Sequence, residues 1–186
     1  MKFDHQLLLQ HQPDWQTPWQ LLDELTKHSA RGVSGLLKVC RAWTDFFQCL
    51  NHSYHECISS AFLMKQGATV EQAVVYAATM RSTQFMCTGG LNVAVYRWPC
   101  LIHAFAQSIQ SRYDCVQLYL VQLQTDSSEF RCRAGQNLLS CHKNAMAMPP
   151  CNNSAAIRWF TCEYANFGFM LQDECPHTIT CSNVTS

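Results

Sequence analysis

The sequence predicts an all-α, disulfide-rich protein built from two related six-cysteine helical modules. Three observations carry this reading: twelve cysteines in 186 residues without metal-site spacing, apolar stripes at helical steps of three and four, and a cysteine pattern that occurs twice. Hydrophobic residues make up 48% of the chain and charged residues 14%, which favours one or two packed domains over disorder.

The cysteines come first because they set the compartment. Zinc and redox sites rely on close pairs, yet the chain has no C-x-x-C, and its tightest spacing, Cys175 to Cys181, leaves five residues between. Cys40, Cys49, Cys57, Cys87, Cys100 and Cys115 in the first half, and Cys132, Cys141, Cys151, Cys162, Cys175 and Cys181 in the second, therefore read as a disulfide framework formed in an oxidising compartment. Secretion is the expected localisation. The sequons at Asn51, Asn152 and Asn183 agree with it as glycan acceptors. No signal peptide is visible, since only Leu7-Leu8-Leu9 interrupts the polar N-terminus. The extracellular reading thus needs a leader outside this chain or unconventional export, failing which the compartment is wrong. No run approaches the roughly 18 apolar residues of a membrane span. Thirteen basic and thirteen acidic residues cancel, which removes the attraction that nonspecific nucleic-acid binding requires.

The repeat divides the chain. The stretch from Cys40 to Cys49 is matched by Cys132 to Cys141, with an apolar pair at the same offset, and both Phe85-x-Cys87 and Phe160-x-Cys162 are followed after twelve residues by a cysteine. The spacing between differs, with 29 residues from Cys57 to Cys87 against ten from Cys151 to Cys162. The expected organisation is an N-terminal extension over 1–32, a first module over 33–124, a polar linker over 125–130 and a second module over 131–186.

Within the extension, Thr17 as cap, Pro18 at the first helical position and Gln20 closing a capping box predict a short helix that ends at Gly32. Leu36, Cys40, Trp43, Phe47, Leu50, Tyr54 and Cys57 then form one helical stripe. Thr69-x-x-Gln72 predicts a capping-box start for a helix carrying Val70, Ala73, Ala77 and Met80. Gly89-Gly90 breaks the chain, which suits a turn better than a phosphate loop. Leu91, Val95, Trp98, Ile102, Phe105 and Ile109 form a further stripe that Pro99 is expected to kink or divide. Cys115 to Leu123 fits a helix or a buried strand equally. The second module predicts a helix near Cys132 to Lys143, a stop at Pro149-Pro150, and a helix from Ser154 to Leu171 striped by Ile157, Phe160, Tyr164, Phe167 and Leu171.

Helix geometry limits the bridges. Nine helical residues turn about 900° and rise about 13 Å, so Cys40 cannot reach Cys49, nor Cys132 reach Cys141. Cys40 and Cys57 lie on the apolar stripe and should tie it to neighbours, whereas Cys49 points away. Fifteen pairings exist for each six-cysteine set, and the sequence does not choose among those that survive. Bridges are expected to stay within modules and not to cross residues 125–129.

Chemistry-bearing clusters are sparse. His52-x-x-His55-Glu56 presents two imidazoles and a carboxylate on one helical surface, which reads as a solvated face and not as a metal site. His177, beside Asp173 and Glu174, has no activated serine motif. No catalytic residue, cofactor or metal is assigned.

At Cys49-Leu50, Tyr54-x-x-Cys57 and Phe85-Met86-Cys87 with twelve residues to Cys100, the first module resembles the nematode chondroitin-proteoglycan domain of the fourth type, over about residues 40–115. The second module resembles that family, or other nematode secreted cysteine-rich domains, only through the duplication. The resemblance implies secretion and, in some members, chondroitin on Ser-Gly sites. Here the one Ser-Gly, Ser34-Gly35, lacks adjacent acidic residues. The expected function is a secreted, non-catalytic module that acts in an extracellular matrix or binds an extracellular protein or carbohydrate. A small secreted hydrolase and a carrier of an apolar ligand are the rivals. An enzyme predicts a cleft holding a perturbed histidine with a carboxylate, a carrier predicts an apolar cavity of several hundred Å³, and a structural module predicts neither.

Overall fold

The structure is a computed structural model that describes residues 15–123, 128–147, 154–169 and 181. Among these residues it contains α1 (Pro18–Ser29), α2 (Val33–Leu50), a 3₁₀ turn (Asn51–Ser53), α3 (Tyr54–Cys57), α4 (Ser60–Lys65), α5 (Val70–Cys87), α6 (Leu91–Gln107), α7 (Ile109–Gln122), α8 (Ser128–Ala145) and α9 (Ala155–Phe169), with no strand. The expected all-α, disulfide-rich class is what forms. Cys115 to Leu123, left open by its pattern, lies almost wholly within α7. Pro149-Pro150, Cys151, Asn152, Leu171, Cys175, His177 and Asn183 fall outside the described residues.

The helix starts follow the sequence unevenly. Thr69 and Gln72 form the full reciprocal capping box of α5, the Thr69 hydroxyl taking the Gln72 N–H at 3.2 Å and the Gln72 side chain taking the Thr69 N–H at 2.9 Å. No such box forms at Thr17, whose side chain makes no cap bond, although Pro18 does occupy the first turn of α1. Gly32, at φ +94°, makes the turn from α1 into α2, a conformation that costs a residue with a Cβ. Pro99 does not divide its helix. It sits on the exposed side of an uninterrupted α6, where the carbonyl it releases can meet water, and the break comes nine residues later at Ser108.

The helix α5 is the central element. Its buried residues include Ala73, Val75, Ala77, Ala78, Thr79, Met80, Ser82, Thr83, Phe85 and Met86, which face every direction around the axis. Val70 stays 53% exposed and takes no part. Small side chains on α5 let α9 approach closely: the Ser82 hydroxyl donates to the Tyr164 carbonyl at 2.9 Å, and a Cβ on Gly168 would strike Ser82 Oγ. From α9, Ile157, Phe160 and Tyr164 enter the largest core cluster beside Leu21, Leu25, Leu36, Trp43, Met80, Phe85, Trp98 and Phe105. Phe167 remains 42% exposed. Residues from the extension and from both proposed modules thus share one core.

The disulfides correct the expected confinement of bridges. Cys40–Cys87 ties α2 to α5, but Cys115–Cys141 joins α7 to α8 across residues 125–129. The reason is packing: α8 starts at Ser128, inside the assigned linker, and folds back so that Ala134 and Leu138 bury against Val116, Tyr119 and Leu120. Cys162 pairs with Cys181, and Cys100 and Cys132 are also disulfide-bonded. The pairing does not repeat between halves, because Cys87 bonds upstream to Cys40 whereas its counterpart Cys162 bonds downstream to Cys181. Cys49 and Cys57, both assigned to bridges, are free thiols. Cys49 is exposed on the outer side of α2, as its helical phase requires, and Cys57 lies beyond a kink that takes it off the α2 stripe.

Candidate functional site

That kink builds a cavity. Asn51 takes a φ of +45° and ends α2, the 3₁₀ turn follows, and the short α3 and α4 fold back over the end of α2. The aromatic residues of the predicted stripe fasten this return. Trp43 Nε1 donates to the Tyr54 hydroxyl at 3.0 Å, and Tyr54 meets the edges of Phe46 and Phe47 at centroid distances of 6.1 and 4.9 Å. Burial pushes the Tyr54 hydroxyl pKa up, against the lowering effects of the Trp43 hydrogen bond and of Arg81, so it stays neutral. Ser59 caps α4 by accepting the Phe62 N–H at 3.1 Å.

Between this excursion and α5 lies a cavity of about 350 Å³. Its deep wall is the buried set Phe46, Leu50, Ile58 and Leu63, and its rim is formed by the partly buried Trp15, Cys57, Phe62 and Tyr76 with the exposed Gln66. Trp15 is held there because Gln72 Nε2 donates to the Gln16 carbonyl at 3.0 Å and Trp19 Nε1 donates to Glu71 at 3.0 Å. The volume falls in the range of small-molecule sites and is roughly twice that of a cavity that takes benzene, so it admits about a dozen heavy atoms. The Cys57 thiol on the rim is free.

A second, smaller cavity of about 40 Å³ lies between α1, α5, α7, α8 and α9. The buried side chains that line it include the charged Arg112 of α7 and the imidazole of His142 of α8, beside the hydroxyls of Thr79, Ser82 and Tyr164. Arg112 donates through Nη2 to the Phe105 carbonyl at 3.1 Å, lies 5.0 Å above the Phe105 ring and is within hydrogen-bonding reach of Tyr164. Among the described residues no carboxylate pairs with it, and its Nε has no partner. An unpaired buried cation costs several kcal/mol, of which a cation–π contact offsets about 2. Both ring nitrogens of His142 also lack partners. Burial first, and then the Arg112 charge, lower the His142 pKa to about 3, which leaves a neutral imidazole. The group facing this perturbed histidine is a guanidinium, and no carboxylate lines the cavity.

His52, His55 and Glu56 are exposed around the 3₁₀ turn and α3, and no cluster of metal-ligating side chains occurs among the described residues. Asn51 is exposed in a turn instead of lying within a helix. Ser34 is exposed in the first turn of α2, and Gly35 is buried against the His28 carbonyl. Sequence reasoning missed both cavities. Arg112 had a signal, continuing the Phe105–Ile109 stripe at the next step of three, and His142 follows Ala134 and Leu138 at steps of four. No protein-family model matches the chain, and no curated protein or solved structure does so. No helix among the described residues is long and apolar enough to cross a membrane.

Proposed function

We propose that this protein is a secreted, non-catalytic helical carrier that holds a small apolar ligand in the cavity between α2, α3, α4 and α5. The observation that carries the proposal is the 350 Å³ volume with a buried wall of Phe46, Leu50, Ile58 and Leu63. The pocket opens to solvent, so an apolar ligand that fits against this wall gains by displacing water from it. Three disulfides among the described residues support an oxidising compartment, as does the resemblance to nematode secreted domains. The rival reading, a matrix module that binds an extracellular protein or carbohydrate, gives this space no use.

The test is titration with 1-aminoanthracene, an apolar fluorophore whose emission rises on leaving water. A ligand efficiency of about 0.3 kcal/mol per heavy atom would give a ligand of roughly a dozen atoms a Kd of about a millimolar. Saturable one-to-one binding is expected in the oxidised protein, with loss of binding in Leu63→Trp, which fills the cavity. Equal binding by a folded Leu63→Trp, or no saturation in the unmodified protein, rejects the carrier.

A further inference from the structure

We infer that the pocket between Arg112 and His142 binds one small monovalent anion. This site is separate from the apolar cavity, with which it shares no lining residue. The argument begins with charge. Arg112 is 5% exposed, stays cationic at any physiological pH, and has no carboxylate partner among the described residues. Its Nη2 is occupied by the Phe105 carbonyl, while its Nε, which a guanidinium normally commits to an acceptor when buried, is unpartnered. Across the pocket, neither ring nitrogen of His142 has a partner, although the side chain is 5% exposed.

The pocket thus holds one positive charge and two unmatched N–H donors, one from each residue, with no negative group to receive them. A single anion satisfies both and cancels the charge. A divalent anion leaves a net negative charge in a space whose remaining lining is neutral: apolar side chains such as Val75, Val116 and Phe169, with the hydroxyls of Thr79, Ser82 and Tyr164, the first two already donating to backbone carbonyls. The size agrees: a water needs about 10–15 Å³ of such space, so 40 Å³ admits a halide or a carboxylate group and excludes larger oxyanions. The depressed basicity of His142 has the same sense, because a neutral imidazole adds a donor without a second charge. The shared ligand chemistry is a compact monovalent acceptor, either a free ion such as chloride or the carboxylate of a small organic acid.

The experiment is isothermal titration of the full oxidised chain, exchanged into sodium sulfate, whose divalent anion the pocket does not hold, with sodium chloride, sodium acetate and sodium octanoate at constant ionic strength. One-to-one binding of chloride or acetate is expected, abolished in Arg112→Met and weakened about tenfold in His142→Leu through loss of one charge-assisted bond. Tightest binding of chloride identifies an inorganic ion, and tighter binding of acetate or octanoate identifies a carboxylate. If Arg112→Met does not fold, His142→Leu decides. No saturable binding to the unmodified protein means that water alone fills the pocket and overturns the inference, as does unchanged affinity in His142→Leu.

Discussion

Cys115 of α7 and Cys141 of α8 are joined, with Cα atoms 5.8 Å apart, so the chain is bridged across the polar segment that was expected to separate two modules. Nonreduced peptide mapping should recover this bond. Replacing both cysteines with alanine opens a loop of 26 residues and should destabilise the protein by about 3 kcal/mol in urea unfolding. Recovery of Cys115 bonded only to first-half cysteines contradicts the fold.

Gly168 sets the approach of α9 to α5. A methyl group there meets Ser82 Oγ and lies 3.1 Å from the Ala78 carbonyl oxygen, so Gly168→Ala should cost about 1–3 kcal/mol even though alanine is the better helix former. A gain in stability in Gly168→Ala contradicts this packing.

Much of the fold was legible because it rests on local signals. The capping box at Thr69, the glycines after Cys87 and the stripe from Leu36 to Leu50 each report on neighbours in sequence, and each marks a real helix or break, whereas the expected continuation of that stripe through Tyr54 and Cys57 in one helix fails because the chain turns at Asn51. The central helix α5 was less legible in detail. Buried on all sides, it has no apolar stripe to distinguish its faces, and the exposed Val70 at its start resembles a core residue. The cavities were not legible at all. The larger one depends on the φ of a single asparagine, Asn51, which turns α3 and α4 back across α2, and the smaller one on five helices meeting around Arg112. The free thiols were hidden for a related reason: an even cysteine count says nothing about which sulfurs the fold brings within reach.

His142 gives stability a pH dependence. Its folded pKa of about 3 lies below the ordinary imidazole value near 6.5, so the unfolded chain takes up the proton first. Its contribution is complete above about pH 6.5 and is lost as pH falls toward 3, by several kcal/mol over the window. Arg112 and Tyr164 are the other titratable groups lining its cavity, and neither changes charge there. Urea unfolding from pH 7.5 to 4 should show a steeper decline in the unmodified protein than in His142→Leu. Parallel profiles contradict a buried neutral imidazole.

Asn51 should carry an N-glycan when the chain is passed through a secretory pathway, because it is exposed at a helix-ending turn. An N-glycosidase should lower the mass and leave aspartate at 51, whereas a chondroitinase should leave the mass unchanged, since Ser34-Gly35 is built into the start of α2. A large mass loss with chondroitinase restores a proteoglycan role.

The carrier reading is tested most directly by the two free thiols among the described residues, one on the cavity rim and one outside it. Alkylation of the unreduced protein by iodoacetamide, followed site by site by mass spectrometry with and without saturating 1-aminoanthracene, compares them in one sample. Occupancy of the cavity should slow modification of Cys57 severalfold and leave the exposed Cys49 unchanged. Equal rates at Cys57 with and without the ligand, under conditions where the fluorophore is bound, would show that it binds elsewhere and that the cavity is not the site.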